Sequence, residues 1–374
     1  MRQKPRWLAA LPAASLALAG QASATTDAEL AELRQRIARL ESSASSNLNF
    51  GLSSDTQVTI YGYVKADFIY DADADLGTTF FGLGSLTNSP ANDGNFRTQA
   101  IQSRLGFRSV TQTDIGEVQT QIEGDFFGGG GGQFRLRHAN ISVGNFLIGR
   151  SWTNFMPISY YPGTLDFQGP AGIPFSRQTQ ARYTHPLGEN ASLAVSIENG
   201  AGTTSDPVFT AALDYGVDGY GLRLAALGGT VDFAGQSFDR WGVNLSGGAD
   251  LWQGGAVNAS YTMGEGIASY MVYGGADVRT IGGITDLVES EGATVGLTHD
   301  FNDHWGLGLA YGYREDDRFA AADTQSLETV HASLFWHPTE RMTVGLEAIY
   351  GERTLGDNTT ADATRFQSSV QFNF

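Results

Sequence analysis

Residues 363–374 alternate without a break: Phe366, Ser368, Val370, Phe372 and Phe374 share one face, and Arg365, Gln367, Ser369, Gln371 and Asn373 share the other. Successive side chains of a strand point to opposite sides, so this ribbon has one face apolar enough for hydrocarbon and one suited to water. A soluble sandwich is one solution for such a ribbon. A barrel closed in lipid is the other, and the rest of the sequence favours it.

The opposite end points to export. Arg2, Lys4 and Arg6 precede an apolar stretch at 8–20, interrupted by Pro12, and Ala22-Ser23-Ala24 is a small-residue cleavage site. Residues 1–24 are therefore expected to be a signal peptide, cut after Ala24. The apolar stretch falls short of the roughly 20 residues a spanning helix needs, and no later run approaches that length, which excludes a helical membrane protein. A mean hydropathy of -0.19 looks soluble, as alternation makes a membrane barrel look. With no cysteine, neither a disulfide framework nor a thiolate metal site is available. The formal charge of -17 becomes -17 - 3 = -20 once the three basic residues of the leader are removed, which argues against a nucleic-acid partner. After the leader, Lys65 is the only lysine among many arginines, a bias toward fixed, planar recognition of carboxylates.

Residues 25–49 differ in kind. Leu30, Leu33, Ile37 and Leu40 are spaced 3, 4 and 3, with Glu29, Glu32, Arg34, Arg36, Arg39 and Glu41 around them. This a/d pattern predicts a short helical coiled coil, followed by a polar linker at 42–49. Two heptads are marginal alone, and the alternative is one amphipathic helix lying on a barrel or a lipid surface.

From Gln57 onward, alternating segments recur at 57–70, 98–110, 116–127, 134–143, 145–151, 176–184, 191–199, 207–215, 220–230, 240–250, 256–265, 290–300, 305–315, 327–336, 342–352 and 363–374. Short turns and longer loops alternate between them, the longest at 71–97, 153–175 and 266–289. The expected fold is all-β: a transmembrane antiparallel barrel of about 16 strands over residues 50–374, preceded by the helical segment. Closure satisfies every backbone donor and acceptor internally, as lipid requires. With both termini periplasmic, short turns are periplasmic and long loops extracellular. The last segment closes against 57–70, which sets Phe374 at the periplasmic rim and puts Arg365 and Gln367 in the lumen.

The 153–175 loop carries Pro157, Pro162, Pro170 and Pro174 with Tyr160, Tyr161 and Phe167. Such a stiff aromatic loop is expected to fold inward and narrow the pore, the alternative being a surface lid. Arg104 and Arg108 oppose Leu105 and Phe107, and Arg182 opposes Ala181 and Tyr183, so these three should face the lumen. Arg135, Arg137 and Arg150 join the pore-lining set with their faces open, because Phe134, Leu136 and Ile141 do not alternate consistently. Lys65 and the loop's one acid, Asp166, complete it. Each arginine could instead pair with a lumen carboxylate, among them Asp67, Glu123, Asp125 and Glu347. As a set, cations of one sign in a narrow low-dielectric pore would concentrate anions.

The run Thr59-Ile60-Tyr61-Gly62-Tyr63-Val64-Lys65-Ala66-Asp67, the later Gly149-Arg150-Ser151-Trp152 and the heptads together resemble trimeric bacterial outer-membrane porins, most of all the DcaP-like porins. Arg36-Ile37-Ala38-Arg39-Leu40-Glu41 is similar to the pattern of short trimeric coiled coils. The final strand resembles that of bacterial outer-membrane proteins, whose terminal Phe is part of the signal read by the barrel assembly machinery. The resemblance implies a homotrimer in the outer membrane of a Gram-negative bacterium, held by a periplasmic coiled coil, with a constriction loop after the fifth strand facing a ladder of basic residues. It also implies passage of dicarboxylates and related aromatic acids. Arg150 departs from it, standing where Gln is expected.

The function expected is a passive, water-filled channel favouring small organic anions, with no enzyme activity, cofactor or metal. The alternatives are a non-selective porin, a structural or adhesive barrel, and a hydrolase built on His138, Asn140 and Ser142. Alternate residues of a strand sit roughly 7 Å apart, too far for a nucleophile and its base. Asp71, Asp73 and Asp75 open like a calcium loop, but Leu76 replaces the turn glycine and Gly82 the final Glu, so a solvated loop is expected. The glycines at 128–132 lack a following Lys-Ser and read as a hairpin tip.

Overall fold

The computed structural model describes residues 48–53, 55–87 and 94–374; the leader and the heptad residues Leu30, Leu33, Ile37 and Leu40 lie outside them. The strands are β1 (Leu48–Ser53), β2 (Thr56–Asp71), β3 (Asn95–Gln99), β4 (Arg104–Thr113), β5 (Gly116–Gly128), β6 (Gln133–Val143), β7 (Phe146–Trp152), β8 (Arg177–Pro186), β9 (Ala191–Glu198), β10 (Val208–Val217), β11 (Tyr220–Phe233), β12 (Gln236–Trp252), β13 (Gly255–Glu265), β14 (Val278–Ile281), β15 (Ile284–Leu287), β16 (Glu289–Asp300), β17 (Trp305–Asp316), β18 (Thr324–Thr339), β19 (Met342–Leu355) and β20 (Thr360–Asn373). β2–β13 and β16–β20 form a closed antiparallel barrel of sixteen staves, with β3 and β4 as one stave in two pieces, β1 as a short extra strand on β2 and β14–β15 as a separate hairpin within a loop.

Alternation decides the wall. On β17, Leu309 and Tyr311 are exposed outward while Ala310 and its flanking Gly308 and Gly312 face in. The same holds on β10, β11 and β20, so a continuous apolar skin faces lipid and the polar atoms face inward. Two interruptions were not anticipated. At residues 100–103 the second stave leaves the ladder, and the Ser103 hydroxyl takes over, accepting from the Lys65 N–H at 3.0 Å and donating to the Lys65 carbonyl at 3.3 Å. In β6 the pairing with β5 shifts between Glu123↔His138 and Gly124↔Leu136. This bulge turns both Arg137 and His138 inward, which is why Phe134, Leu136 and Ile141 fail to alternate in sequence.

The seam lies on one edge of β2. β20 pairs with its upper part, from Tyr63↔Asn373 to Asp71↔Arg365, and β1 pairs with its lower part, from Ile60↔Leu48 to Thr56↔Ser53. Phe374 sits between them beside the 340–341 turn; its N–H donates to the Gly62 carbonyl at 3.1 Å, and its ring, with the Arg104 carbonyl, closes off the space that a side chain at Gly62 would need. β1 begins inside the stretch expected to be linker.

Three long loops turn back into the barrel. The 153–176 loop does so as expected, and residues 72–87 and 266–277 join it. Leu76, Phe81, Leu83 and Leu86 pack on Leu327, Ile349, Ala361 and Ala363 of the inner wall. Phe155, Ile267, Tyr270 and Met271 pack on Val208, Ala212, Ala225 and Leu227. Burying such side chains is worth about 1.5–3 kcal/mol each, enough to hold loops that carry little regular structure. Contact becomes backbone against backbone at Gly172, whose φ of +89° and approach to the Tyr313 carbonyl leave no room for a side chain.

Candidate functional site

The 153–176 loop crosses the lumen because both walls hold it. Glu347 on β19 accepts from the N–H groups of Leu165 (2.5 Å) and Asp166 (3.2 Å) and from the Ser333 hydroxyl (2.6 Å), with His331 Nδ1 at 3.3 Å. From β18, the Thr329 hydroxyl accepts the Ala171 N–H at 3.0 Å. From β2, Lys65 Nζ donates to the Leu165 carbonyl (3.0 Å) and to Gln102 (2.7 Å), and pairs with Asp67 at 3.2 Å.

Two expected pore residues are therefore corrected. Lys65 is 3% exposed and fully engaged, so it anchors the loop and does not meet solute. Asp166 does not face the arginines: its carboxylate accepts the N–H groups of Phe81 (2.7 Å), Gln168 (2.9 Å) and Gly169 (2.8 Å), fastening the first infolded loop to the constriction loop. Complete burial pushes its carboxyl up to about 6, with His331 opposing and Glu347 adding to the rise. The loop's aromatics also have definite places. Tyr160 lies on Gly221 of the wall, and Tyr161 donates its hydroxyl to the Gln168 carbonyl and packs on Phe175 at 5.6 Å. Phe167 packs edge-on or tilted against Phe80 (5.0 Å), Phe127 (4.9 Å) and Phe175 (5.8 Å).

The basic wall faces this aromatic cluster. Arg104 lies 3.5 Å from Glu123 and 5.0 Å over the Tyr63 ring, and Arg108 lies 4.5 Å over Tyr61. Arg135 grips Asp125 with two nitrogens (2.9 and 2.8 Å) and covers Phe127 at 4.8 Å. Arg137 bridges Glu123 (2.9 Å) and Asp125 (3.2 Å) and lies 5.3 Å from the Phe167 ring. Both carboxylates were foreseen as partners. Arg177 was not: it stacks on Trp152 at 3.7 Å, and two of its nitrogens are buried without a hydrogen-bond partner among the described residues. Strand parity from the neighbouring Gln178 and Gln180 assigns Arg177 to the outer face, which hid it in the sequence. Five arginines against Glu123 and Asp125 give 5 - 2 = +3 on this wall.

Arg182 lies in the inner row, opposite Leu147 and Ser196, in a separate group with Arg223 and Asp214. Arg150 is a correction. The ladder sets it opposite Ala139 and Thr179, in the row of the outward Ile148 and Phe146, so it lies on the outer wall. His138 neighbours Glu123 (4.0 Å) and Trp152 (5.7 Å), and Asn140 donates to the Arg150 carbonyl, so two of the would-be hydrolase trio are committed to separate partners. Asp71, Asp73 and Asp75 likewise diverge, to Arg365, the Thr364 N–H and Arg97 respectively.

Comparison with known proteins fits this geometry. Residues 31–213 match the family model described as DcaP outer membrane protein. No curated protein sequence matches the chain. Among solved structures, the outer membrane channel DcaP of Acinetobacter baumannii superposes with a TM-score of 0.80 at 25% identity, over 87% of this chain and 99% of that one. An anion-selective porin from Comamonas acidovorans (TM-score 0.60, 14% identity, 86% and 100% covered) and OmpT of Vibrio cholerae (TM-score 0.60, 14% identity, 86% and 99% covered) share the fold.

Proposed function

We propose that this chain, a DcaP-like porin barrel of the Gram-negative outer membrane, is a passive water-filled channel that favours small organic anions, dicarboxylates and aromatic acids among them. The observation that carries the reading is the +3 wall of Arg104, Arg108, Arg135, Arg137 and Arg177, fronted by a constriction loop whose one acid is turned into its own anchor. In a narrow passage walled by low-dielectric protein, such a set raises the local concentration of anions and repels cations. The aromatic faces under Arg104, Arg108 and Arg135 hold the guanidinium groups in place and offer a flat surface to a ring-bearing acid. The departure at Arg150 falls in the ladder row of the outward Ile148, which supports a selectivity that does not depend on it.

A homotrimer is part of the proposal. The outer rows of β4–β8 carry the Ser109–Thr120 hydroxyl pair (2.7 Å), Thr179 and Arg150, where β9–β13 present mostly apolar side chains. A lipid-facing arginine costs about 2–4 kcal/mol at mid-membrane, a cost that a neighbouring subunit would remove. The heptads at Leu30, Leu33, Ile37 and Leu40 would join three chains below the membrane, lipid would cover the remaining wall, and the barrel assembly machinery would read the terminal strand. The mass of the detergent-solubilised particle tests the trimer. Reversal potentials in planar bilayers test the channel: an anion/cation permeability ratio above one is expected, and a ratio at or below one overturns the selectivity.

A further inference from the structure

Beneath the constriction loop, on the side of the short turns, a cavity of about 190 Å³ opens between Asn154 and Ser159 of the loop and the inner rows of β8–β11. Its charged lining is Arg182, Arg223 and Asp214, with the Thr184 hydroxyl beside them. The two arginines are in different states. Arg223 pairs with Asp214 and donates to the Asn154 carbonyl (2.7 Å) and side-chain oxygen (3.1 Å), so it is spent on holding the loop. Arg182 forms no ion pair or hydrogen bond among the described residues and lies over no aromatic ring, although it stands in the inner row.

The nearby acids, Asp214 and Glu198, attract it through space but bond elsewhere. Asp214 belongs to Arg223, and Glu198 on β9 accepts from the Thr153 hydroxyl (2.6 Å), the Asn154 N–H (2.9 Å) and the Ser196 hydroxyl (2.6 Å). A planar guanidinium with open N–H groups, at the edge of a small cavity that also presents hydroxyls, is built to take two oxygens of one anion. We propose that Arg182, with Thr184 and Ser159, forms a second anion subsite below the constriction, sized for one carboxylate or phosphate group. It rests on the reading of the chain as an anion channel, and it gives that channel two stations in series: the five-arginine wall at the loop, then Arg182 nearer the periplasm. An anion leaving the first would be received by the second, so its dehydration is shared between two weak sites.

Inorganic phosphate is the probe, added to one side and then the other of the same bilayer-inserted channels carrying chloride current. From the short-turn side, phosphate is expected to block at a several-fold lower concentration than from the loop side. Arg182→Gln should abolish that difference, and Arg182→Lys, which keeps the charge and loses the fork, should retain part of it. Only conducting channels are read, so misfolded protein does not enter. Block equal from both sides, or a sided block that survives Arg182→Gln, overturns the subsite. The wild-type permeability ratio is read separately: a ratio above one with symmetric block removes the subsite alone, and a ratio at or below one with sided block lost in Arg182→Gln removes the channel selectivity alone.

Discussion

Replacing Arg104 by alanine is the most direct test of the basic wall, because its removal leaves no partner stranded. Glu123 loses a guanidinium at 3.5 Å and keeps Arg137 at 2.9 Å, so the wall falls from +3 to +2 without exposing a bare carboxylate. A unit charge about 5 Å from a passing ion is worth about 0.8 kcal/mol in water, and screening at about 0.1 M salt leaves about 0.5 kcal/mol. The anion loses that amount of stabilisation and the cation gains it. Their permeability ratio should therefore fall by about 1 kcal/mol, roughly five-fold, and low-dielectric walls make this a floor. Reversal potentials across a salt gradient give the ratio directly. Arg104→Lys separates charge from shape and should stay close to wild type. A ratio unmoved by alanine refutes the assignment of Arg104 to the field of the pore; a lysine variant as impaired as alanine refutes the electrostatic reasoning.

Glu347→Gln takes a charged acceptor from the Leu165 and Asp166 N–H groups, bonds worth about 1.5–3 kcal/mol each when charge-assisted; conductance and current noise should rise, and unchanged traces would show that the loop is held elsewhere. Asp166 has a raised carboxyl, so its ionised buried form is the costly one: its contribution to stability is fullest below the ordinary carboxylate range and is lost as pH rises through about 6. Acidification from about pH 7.5 to about pH 5 should raise the unfolding temperature in detergent, through about 1.4 kcal/mol of linkage, and Asp166→Asn should flatten that rise. Deleting Phe374 removes the N–H donated to Gly62 and the ring packed on it, so the yield of folded barrel should drop while the permeability ratio of inserted channels stays the same.

The wall was legible in the sequence because a period of two is a local property. Leu309, Tyr311 and their neighbours announce a stave without reference to anything distant, and even the failure of Phe134, Leu136 and Ile141 to alternate marked a real bulge. The break at 100–103 was hidden, since the parity of Gln102, Arg104 and Gly106 runs across it. Arg104 and Arg108 were placed by face alone. Lys65 and Asp166 were misplaced because a face does not reveal a partner, and theirs are Leu165 and Phe81, 100 and 85 residues away. The prolines and tyrosines betrayed one infolded loop. Leu76, Phe81, Ile267 and Tyr270 have no period, and they become core only against a wall that the sequence does not display.

The split edge of β2 bears on how the cylinder is sealed. Contacts across the seam join residues 300 positions apart, as in Asp67 with Gln367, so sealing carries a loop-closure entropy of about 5 kcal/mol before any pairing repays it. The repayment comes in two instalments from different strands, nine ladder positions from β20 and five from β1. Until both have arrived, part of the β2 edge remains a template on which a foreign strand can grow. An assembly factor would therefore be needed most at this one edge, to shield it while the first and last strands find each other.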